Sequence, residues 1–281
     1  MALDLTAVEK PIGPATCRYG WKDAALYALA VGAGFSELAY CYEKGLKVLP
    51  TFCLAATFDF FWQVAQVSGA DSRGILHAGQ ELVFEAPIVP SGILTTSGRI
   101  VRYDDLGADK GALIVARGLT VDIDGRPIAR SRTTVFSRYD GGFGGTRAAA
   151  PKIDFPQRPP DRALAAHPAA SQPLLYRLTG DAFALHVDPE FARRCGFKRP
   201  IMHGAGTLGF ACLSLIQHLV PNRPEDVRYL SCRFTRPLYP GTPIRTLIWK
   251  IHTGKALWKT ENCVTGEAVI DGGIFEYEKA R

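Results

Sequence analysis

In the stretch LTGDAFALHVDP (178–189), a carboxylate, Asp181, and an imidazole, His186, stand five positions apart across the apolar run Ala182-Phe183-Ala184-Leu185. Two proton-transfer groups flanking a short turn can point into one pocket and hold one water between them. One then gives a proton while the other takes one. Downstream, His203-Gly204-Ala205-Gly206 opens a long apolar run. Backbone N–H groups at such a helix start are unpaired, lie at the positive end of the dipole, and suit a carbonyl oxygen gaining negative charge. A held water beside a polarised carbonyl is what hydration of a conjugated double bond requires. Spacing alone also allows plainer roles: Asp181 as a turn or cap residue after Gly180, His186 as a structural histidine, and HGAG as a tightly packed helix start. Nucleophilic catalysis is disfavoured, because there is no G-x-S-x-G and no cysteine with a local histidine partner.

The elements that must position these residues can be read on either side. YRLTG (176–180) leads in as a β-type segment closing on Gly180. DPEFARRCGF reads as a short helix, with Asp188 as N-cap, Pro189 at the first position, Glu190 in the first turn and Gly196 as C-cap. Pro200 breaks the chain, and IMHGAGTLGFACLSLIQHLV (201–220) is a long apolar helix beginning near His203-Gly204.

The chain also repeats itself. LVFEAPIVPSGILTT (82–96) and CRFTRPLYPGTPIRT (232–246) share F-x-x-P-φ-x-P (φ apolar), with Phe84, Pro87 and Pro90 matching Phe234, Pro237 and Pro240 at an offset of 150 residues. Helical stretches precede each copy (21–34 and 201–220) and runs rich in Val, Ile and Thr follow, with Asp124-Gly125 as a hairpin turn. One fold used twice in tandem is implied, each unit an α+β sheet on a buried helix. The expected division is an N-terminal repeat over 1–145, a surface linker over 146–171 and a C-terminal repeat over 172–281. GGFGG (141–145) is a turn rather than a phosphate loop, since it lacks the Lys-Ser/Thr ending.

The bulk properties narrow the function. The net charge of +6 is dispersed, and RRCGFKR (193–199) is its densest group. It is either a solvated face or a contact for a phosphate-bearing ligand. No nucleic-acid motif is present, and no apolar run suits a membrane span. The seven scattered cysteines, without C-x-x-C, suggest neither a disulfide framework nor a zinc site, and the histidine spacing suggests no metal. No signal-peptide pattern or peroxisomal tripeptide is seen, so a cytoplasmic protein is expected.

YRLTGD, LHVDPEFARRCGF and KRPIMHG together closely resemble the signature of MaoC-like, R-specific 2-enoyl-CoA hydratases. LYALAVGAG, YEKGLKVLPTF, ILHAGQELVFEAPIVPSG and RFTRPLYPGTPIRTLIWK extend the resemblance over nearly the whole chain. It implies a double hotdog, two tandem repeats each wrapping a sheet around a long helix. It implies reversible hydration of trans-2-enoyl-CoA to (3R)-3-hydroxyacyl-CoA without a cofactor, and a homodimer. By position, Asp181 and His186 carry over as the catalytic pair and Gly204 as the oxyanion N–H. Phe183, His203, Ala205, His77 and Gln80 are expected to meet the substrate, with Arg194, Lys198 and Arg199 near the CoA phosphates. The N-terminal repeat lacks the catalytic motif and is expected to widen the acyl pocket. One departure stands out: Phe183-Ala184 replaces the family's Asn-Pro, which suggests a bulky or ring-bearing acyl chain. Two alternatives are a dehydratase of a specialised acyl-thioester pathway and a non-catalytic acyl-CoA-binding subunit.

Overall fold

The computed structural model describes residues 3–145 and 153–278. Its strands are β1 (Pro11–Tyr19), β2 (Ile75–Phe84), β3 (Gly92–Asp105), β4 (Ala112–Val121), β5 (Pro127–Ser137), β6 (Arg162–Ala166), β7 (Val227–Phe234), β8 (Ile244–His252), β9 (Lys255–Asn262) and β10 (Ala268–Tyr277). They form one antiparallel sheet in the order β1-β3-β4-β5-β2-β7-β10-β9-β8-β6. The order reads the same outward from its centre, so that β1 to β5 and β6 to β10 are two copies of one pattern. This is the double hotdog.

The centre of the sheet explains the offset of 150. Strands β2 and β7 pair there, with Gln80 opposite Cys232, Glu81 opposite Ser231 and Leu82 opposite Leu230. Ser231 is the residue 150 positions on from Glu81, so each copy meets its own equivalent across a local two-fold axis. The strand pairing and the sequence repeat therefore describe the same symmetry.

The expected linker over 146–171 needs correction. Residues 146–152 lie outside the described residues, and Arg162–Ala166 is strand β6, paired with β8 from Arg162 opposite Ile248 to Ala166 opposite Ile244. The second repeat needs β6 as its edge strand, as the first needs β1. Its sequence, RALAA, has no β-branched residue and so gives no strand signal. Strand β1 is equally hard to read. Pro11 and Pro14 lack N–H groups, which only an edge strand tolerates. The GGFGG turn is tied down, because the Gly142 and Gly144 amides donate to the Asp105 carboxylate at 2.8 and 2.6 Å.

The helices are α1 (Trp21–Ala30), α2 (Phe52–Ala56), α3 (Asp59–Val67), α4 (Gln172–Tyr176), α5 (Pro189–Arg194) and α6 (Gly204–Leu219). Helix α6 is the buried helix of the second repeat, with thirteen of its sixteen residues buried. The first repeat differs from expectation. Helix α1, within 21–34, does not fill its sheet but packs on α6, where a Cβ on Gly209 would lie 2.3 Å from Val31 Cγ1. The sheet is filled instead by α3, whose Phe60, Val64 and Ala65 are buried against Ile100, Ile114 and Val135. Helices α2 and α3 take the place of one unbroken helix. Helix α2 spans only five residues, and the aromatic-rich sequence leading into and forming α3, TFDFFWQVAQ, carries weak helix propensity, which hides them.

Candidate active site

The segment 176–204 is shaped by local chemistry. YRLTG is not β-type. Helix α4 starts with Pro173 in its first turn and runs into a 3-10 turn over Arg177–Thr179. Gly180 closes it at φ 147°, and a Cβ there would lie 2.1 Å from the Ala55 carbonyl oxygen, so only glycine fits. A second 3-10 turn, Ala184–His186, follows. Asp188 then caps α5 by accepting from the Glu190 and Phe191 amides at 2.8 and 3.1 Å. Cys195 is the C-cap, and Gly196 takes the left-handed position after it, at φ 81°. His203 sits at the N-cap of α6, so the helix begins at Gly204.

Asp181 and His186 come together as their spacing suggested. Asp181 is 4% exposed and His186 9%, and His186 Nε2 lies 3.9 Å from Asp181 Oδ2. The Ile201 carbonyl oxygen accepts from His186 Nδ1 at 2.9 Å. That bond fixes the neutral tautomer and leaves a lone pair on Nε2, facing the carboxyl. Asp181 Oδ1 accepts from the Phe183 amide at 3.1 Å. Burial pushes the Asp181 carboxyl up to about 7, against which the Phe183 amide acts only weakly. Burial pushes His186 down to about 4. The pair is therefore poised near neutrality with an uncharged imidazole and a carboxyl that can still hold its proton.

His203 is placed differently from expectation. It is 1% exposed and lies behind His186, not on the cavity wall. Its Nε2 donates to the Asp181 carbonyl oxygen at 3.1 Å, and its ring stacks on His186 with centroids 3.8 Å apart at 29°. It packs behind the pair and does not line the cavity. Donor atoms of Asp181, His186 and His203 lie within 4.8 Å of one another, a cluster invisible to sequence spacing. It suits a shared ion poorly. Stacked rings direct their in-plane lone pairs side by side, and one ring nitrogen of each histidine is already bound to a backbone carbonyl.

The pair opens on a cavity of about 400 Å³. Phe58, Phe61, Trp62 and His77 of the first half form one wall; Asp181, His186, Gly204 and Ala205 of the second form the other. Phe183 lines it as well, edge-on to Trp62 at 4.6 Å and to Phe191 at 5.2 Å. The side chain that stands in the family's Asn position thus extends an aromatic wall beside the pair. Gly204 faces Phe234 and His77, which a Cβ on it would meet at 3.4 and 3.7 Å. Its first-turn N–H is free of intrahelical bonding. Gln80 is 2% exposed and lines a small annex instead of the main cavity.

Of the cations expected at the CoA phosphates, Arg194 lies over the Phe191 ring at 5.4 Å and Arg199 over Tyr239 at 4.9 Å. With Lys198 they are exposed and none lines the cavity. Among the described residues, the Lys and Arg side chains that do are Arg138 and Arg236. Arg138 Nη1 donates to the Cys195 carbonyl oxygen at 2.9 Å, so the first repeat grips the end of α5. Sequence reasoning missed both: Arg138 follows β5 and Arg236 sits in the F-x-x-P repeat, each far along the chain from the Asp181–His186 segment.

Among the described residues, no helix is long and apolar enough to cross a membrane. The family profile described as MaoC like domain matches residues 152–272, and that of the MFE-2 hydratase 2 N-terminal domain matches 17–139. The chain is 33% identical to 3-hydroxyacyl-thioester dehydratase Y of Mycobacterium tuberculosis, over 99% of each chain. It is 34% identical to enoyl-CoA hydratase ChsH3 of the same organism, over 89% of this chain and 90% of that one. The solved MaoC-like dehydratase of Phytophthora capsici superposes with a TM-score of 0.86 over 98% of each chain, at 27% identity. The chain belongs to the MaoC-like hydratase and dehydratase family.

Proposed function

We propose that this chain is an R-specific enoyl-CoA hydratase, adding water reversibly to a trans-2-enoyl-CoA to give the (3R)-3-hydroxyacyl-CoA. One observation carries the reading: a buried Asp181–His186 pair, 3.9 Å apart, faces an apolar cavity beside the free amides of the α6 N-terminus. The thioester oxygen sits on the Gly204 N–H. That contact draws charge from the double bond as it develops on oxygen. His186 Nε2 takes a proton from water as its oxygen bonds to the β-carbon. Asp181 gives its own proton to the α-carbon, and the imidazolium then returns a proton to the carboxylate. The reverse sequence is dehydration, so a hydratase and a dehydratase share this site. No metal or redox cofactor enters these steps.

In this reading the C-terminal repeat carries the chemistry, and Phe58, Phe61, Trp62 and His77 of the N-terminal repeat shape the acyl pocket. Phe183 against Trp62 favours a bulky or ring-bearing acyl group. Arg138 and Arg236 at the cavity, with Arg194, Lys198 and Arg199 outside it, meet the CoA phosphates. A cytoplasmic homodimer completes the proposal, its dimer testable by light scattering. The deciding experiment follows the enoyl-thioester absorbance as purified protein meets a medium-chain and a bulky trans-2-enoyl-CoA. Loss of the band with formation of the R alcohol is expected. A band that persists with both substrates leaves only a binding protein.

A further inference from the structure

Beside the main cavity lies a buried annex of about 30 Å³ that shares Phe58, Phe61, His77 and Ala205 with it. Among Cys53, Leu54, Phe60 and Leu82 its lining sets a group of uncharged polar side chains: Thr57, Gln80, Thr96, Thr120, Ser131 and Thr133. Thr57 donates to the Cys53 carbonyl oxygen at 2.9 Å, and Thr96 donates to Thr57 at 2.7 Å. The one Thr96 proton is thereby used, so Thr120, 2.7 Å away, must be the donor to Thr96. The second group is equally ordered. Gln80 Nε2 donates to the Glu81 carbonyl oxygen at 3.1 Å, which fixes the amide so that Oε1 accepts from Thr133 Oγ1 at 3.1 Å and from His77 Nε2 at 3.0 Å. The hydroxyl protons of Thr57, Thr96, Thr120 and Thr133 are all consumed internally. The lone pairs left over make the annex rich in acceptors.

The fold does not demand this polarity throughout. A threonine pair recurs in the second repeat, as Thr246 and Thr260 at 3.1 Å, so Thr96 and Thr120 belong to the shared architecture. Gln80 and Thr133 do not. They face each other across β2 and β5. The residue 150 positions on from Gln80 is Leu230, which faces Phe275 across β7 and β10. Leu230 and Phe275 are 1% and 0% exposed. Where one repeat buries two apolar side chains, the other buries an amide and a hydroxyl next to the reaction pocket. Burying such groups costs free energy unless each is hydrogen-bonded.

We infer that the annex is a subsite for a hydroxyl group carried on the acyl moiety beyond the reacting double bond, so that the favoured substrate is an oxygenated acyl thioester. The inference rests on the hydratase reading of the main site. A hydroxyl both donates to the annex's spare lone pairs and accepts from the free hydroxyl of Ser131, whereas a methyl group of the same size leaves those acceptors without a donor. The volume admits one such group, since about 10–15 Å³ is enough for a single water-sized oxygen. The carbon body of the ligand remains against Phe58, Phe61 and Trp62.

The test uses a length series of terminally hydroxylated trans-2-enoyl-CoAs with their unhydroxylated counterparts. Turnover is read from the enoyl band, and binding of the saturated analogues by calorimetry. At the length that reaches the annex, the hydroxylated member should show a kcat/KM and an affinity higher by roughly tenfold or more, the range for a buried hydrogen-bond partner made or lost. Thr133→Val and Gln80→Leu, the latter the residue of the other repeat, should each collapse that preference. If wild type handles both series alike at every length, or favours the methyl end, the annex is an internal hydration site and the inference is overturned. Binding data decide this even if no thioester is turned over, and active hydration without hydroxyl preference leaves the hydratase reading standing.

Discussion

Asp181 should make the protein less stable than an amide in its place would, and the difference should depend on pH. Its carboxyl is 4% exposed and is moved by burial from 3.8 to about 7. The unfolded chain gives up this proton near pH 4, and the folded chain keeps it until about pH 7. Between those values the folded state binds more protons, so stability falls as pH rises. At about 1.4 kcal/mol per unit, the full loss is about 4 kcal/mol by pH 8. Asp181→Asn keeps the side-chain shape, still accepts from the Phe183 amide and removes the titration. Urea unfolding of both proteins from pH 4 to pH 8 should therefore show the variant gaining steadily on wild type up to pH 7 and levelling off above it. His186, held down to about 4 by burial, works in the opposite direction. Its contribution is present above pH 6.5 and lost as pH falls toward 4, and it is common to both proteins, so it cancels in the difference. The variant should also lose turnover by about a hundredfold or more, the usual weight of a general acid or base. A stability difference that stays flat across this range would refute the buried, proton-holding carboxyl, and retained turnover would refute its role in catalysis.

Gly204→Pro deletes one amide at the first position of α6, where proline is well tolerated. Turnover should fall by roughly a hundredfold or more with circular dichroism unchanged, and normal turnover in the folded variant would remove the oxyanion assignment. His203→Phe keeps a ring against His186 but loses the bond to the Asp181 carbonyl. A drop in kcat of about tenfold with KM little altered is expected, and an effect confined to KM would return His203 to the cavity wall. Phe183→Asn should raise kcat/KM on straight-chain enoyl-CoA and lower it on a ring-bearing one, and equal changes on both would deny Phe183 any part in selectivity. Arg236→Ala and Lys198→Ala should weaken binding of CoA thioesters in a salt-dependent way while leaving a pantetheine thioester alone. Equal losses on both would mean the charges serve the fold.

What the sequence revealed followed the range of each interaction. Helix α5 was legible because its caps are local: Asp188, Pro189 and Gly196 act within a turn of where they stand. The start of α6 at Gly204 was legible from another local signal, Pro200 breaking the chain just before it. Strands β3, β4 and β5 announced themselves by β-branched residues and the Asp124-Gly125 turn. Strand β6 did not, because RALAA is a strand only by virtue of β8 beside it. The nearness of Asp181 to His186 could be read from spacing. The position of His203 behind them could not, since it depends on the return of the chain through Ile201, whose carbonyl holds His186. Arg138 reaches Cys195 across 57 positions, and no local pattern records such a contact. The departure at Phe183 was visible at once, but its meaning needed Trp62, which the other repeat supplies.

The pairing of Glu81 with Ser231 has a consequence for how such a site can diversify. Two identical subunits meeting at that axis would carry every side chain twice, and any change made for substrate on one side would reappear in the proton-transfer machinery on the other. Joined in one chain, the two sides are written separately. Leu230 can remain apolar while Gln80 becomes polar, and a broken helix can stand opposite an intact one. The stoichiometry changes with it: two repeats of one sheet now border a single cavity, so under the proposed function one lesion at Asp181 or His186 silences the whole unit. A symmetric pair would keep half its sites after the same chemical damage to one subunit.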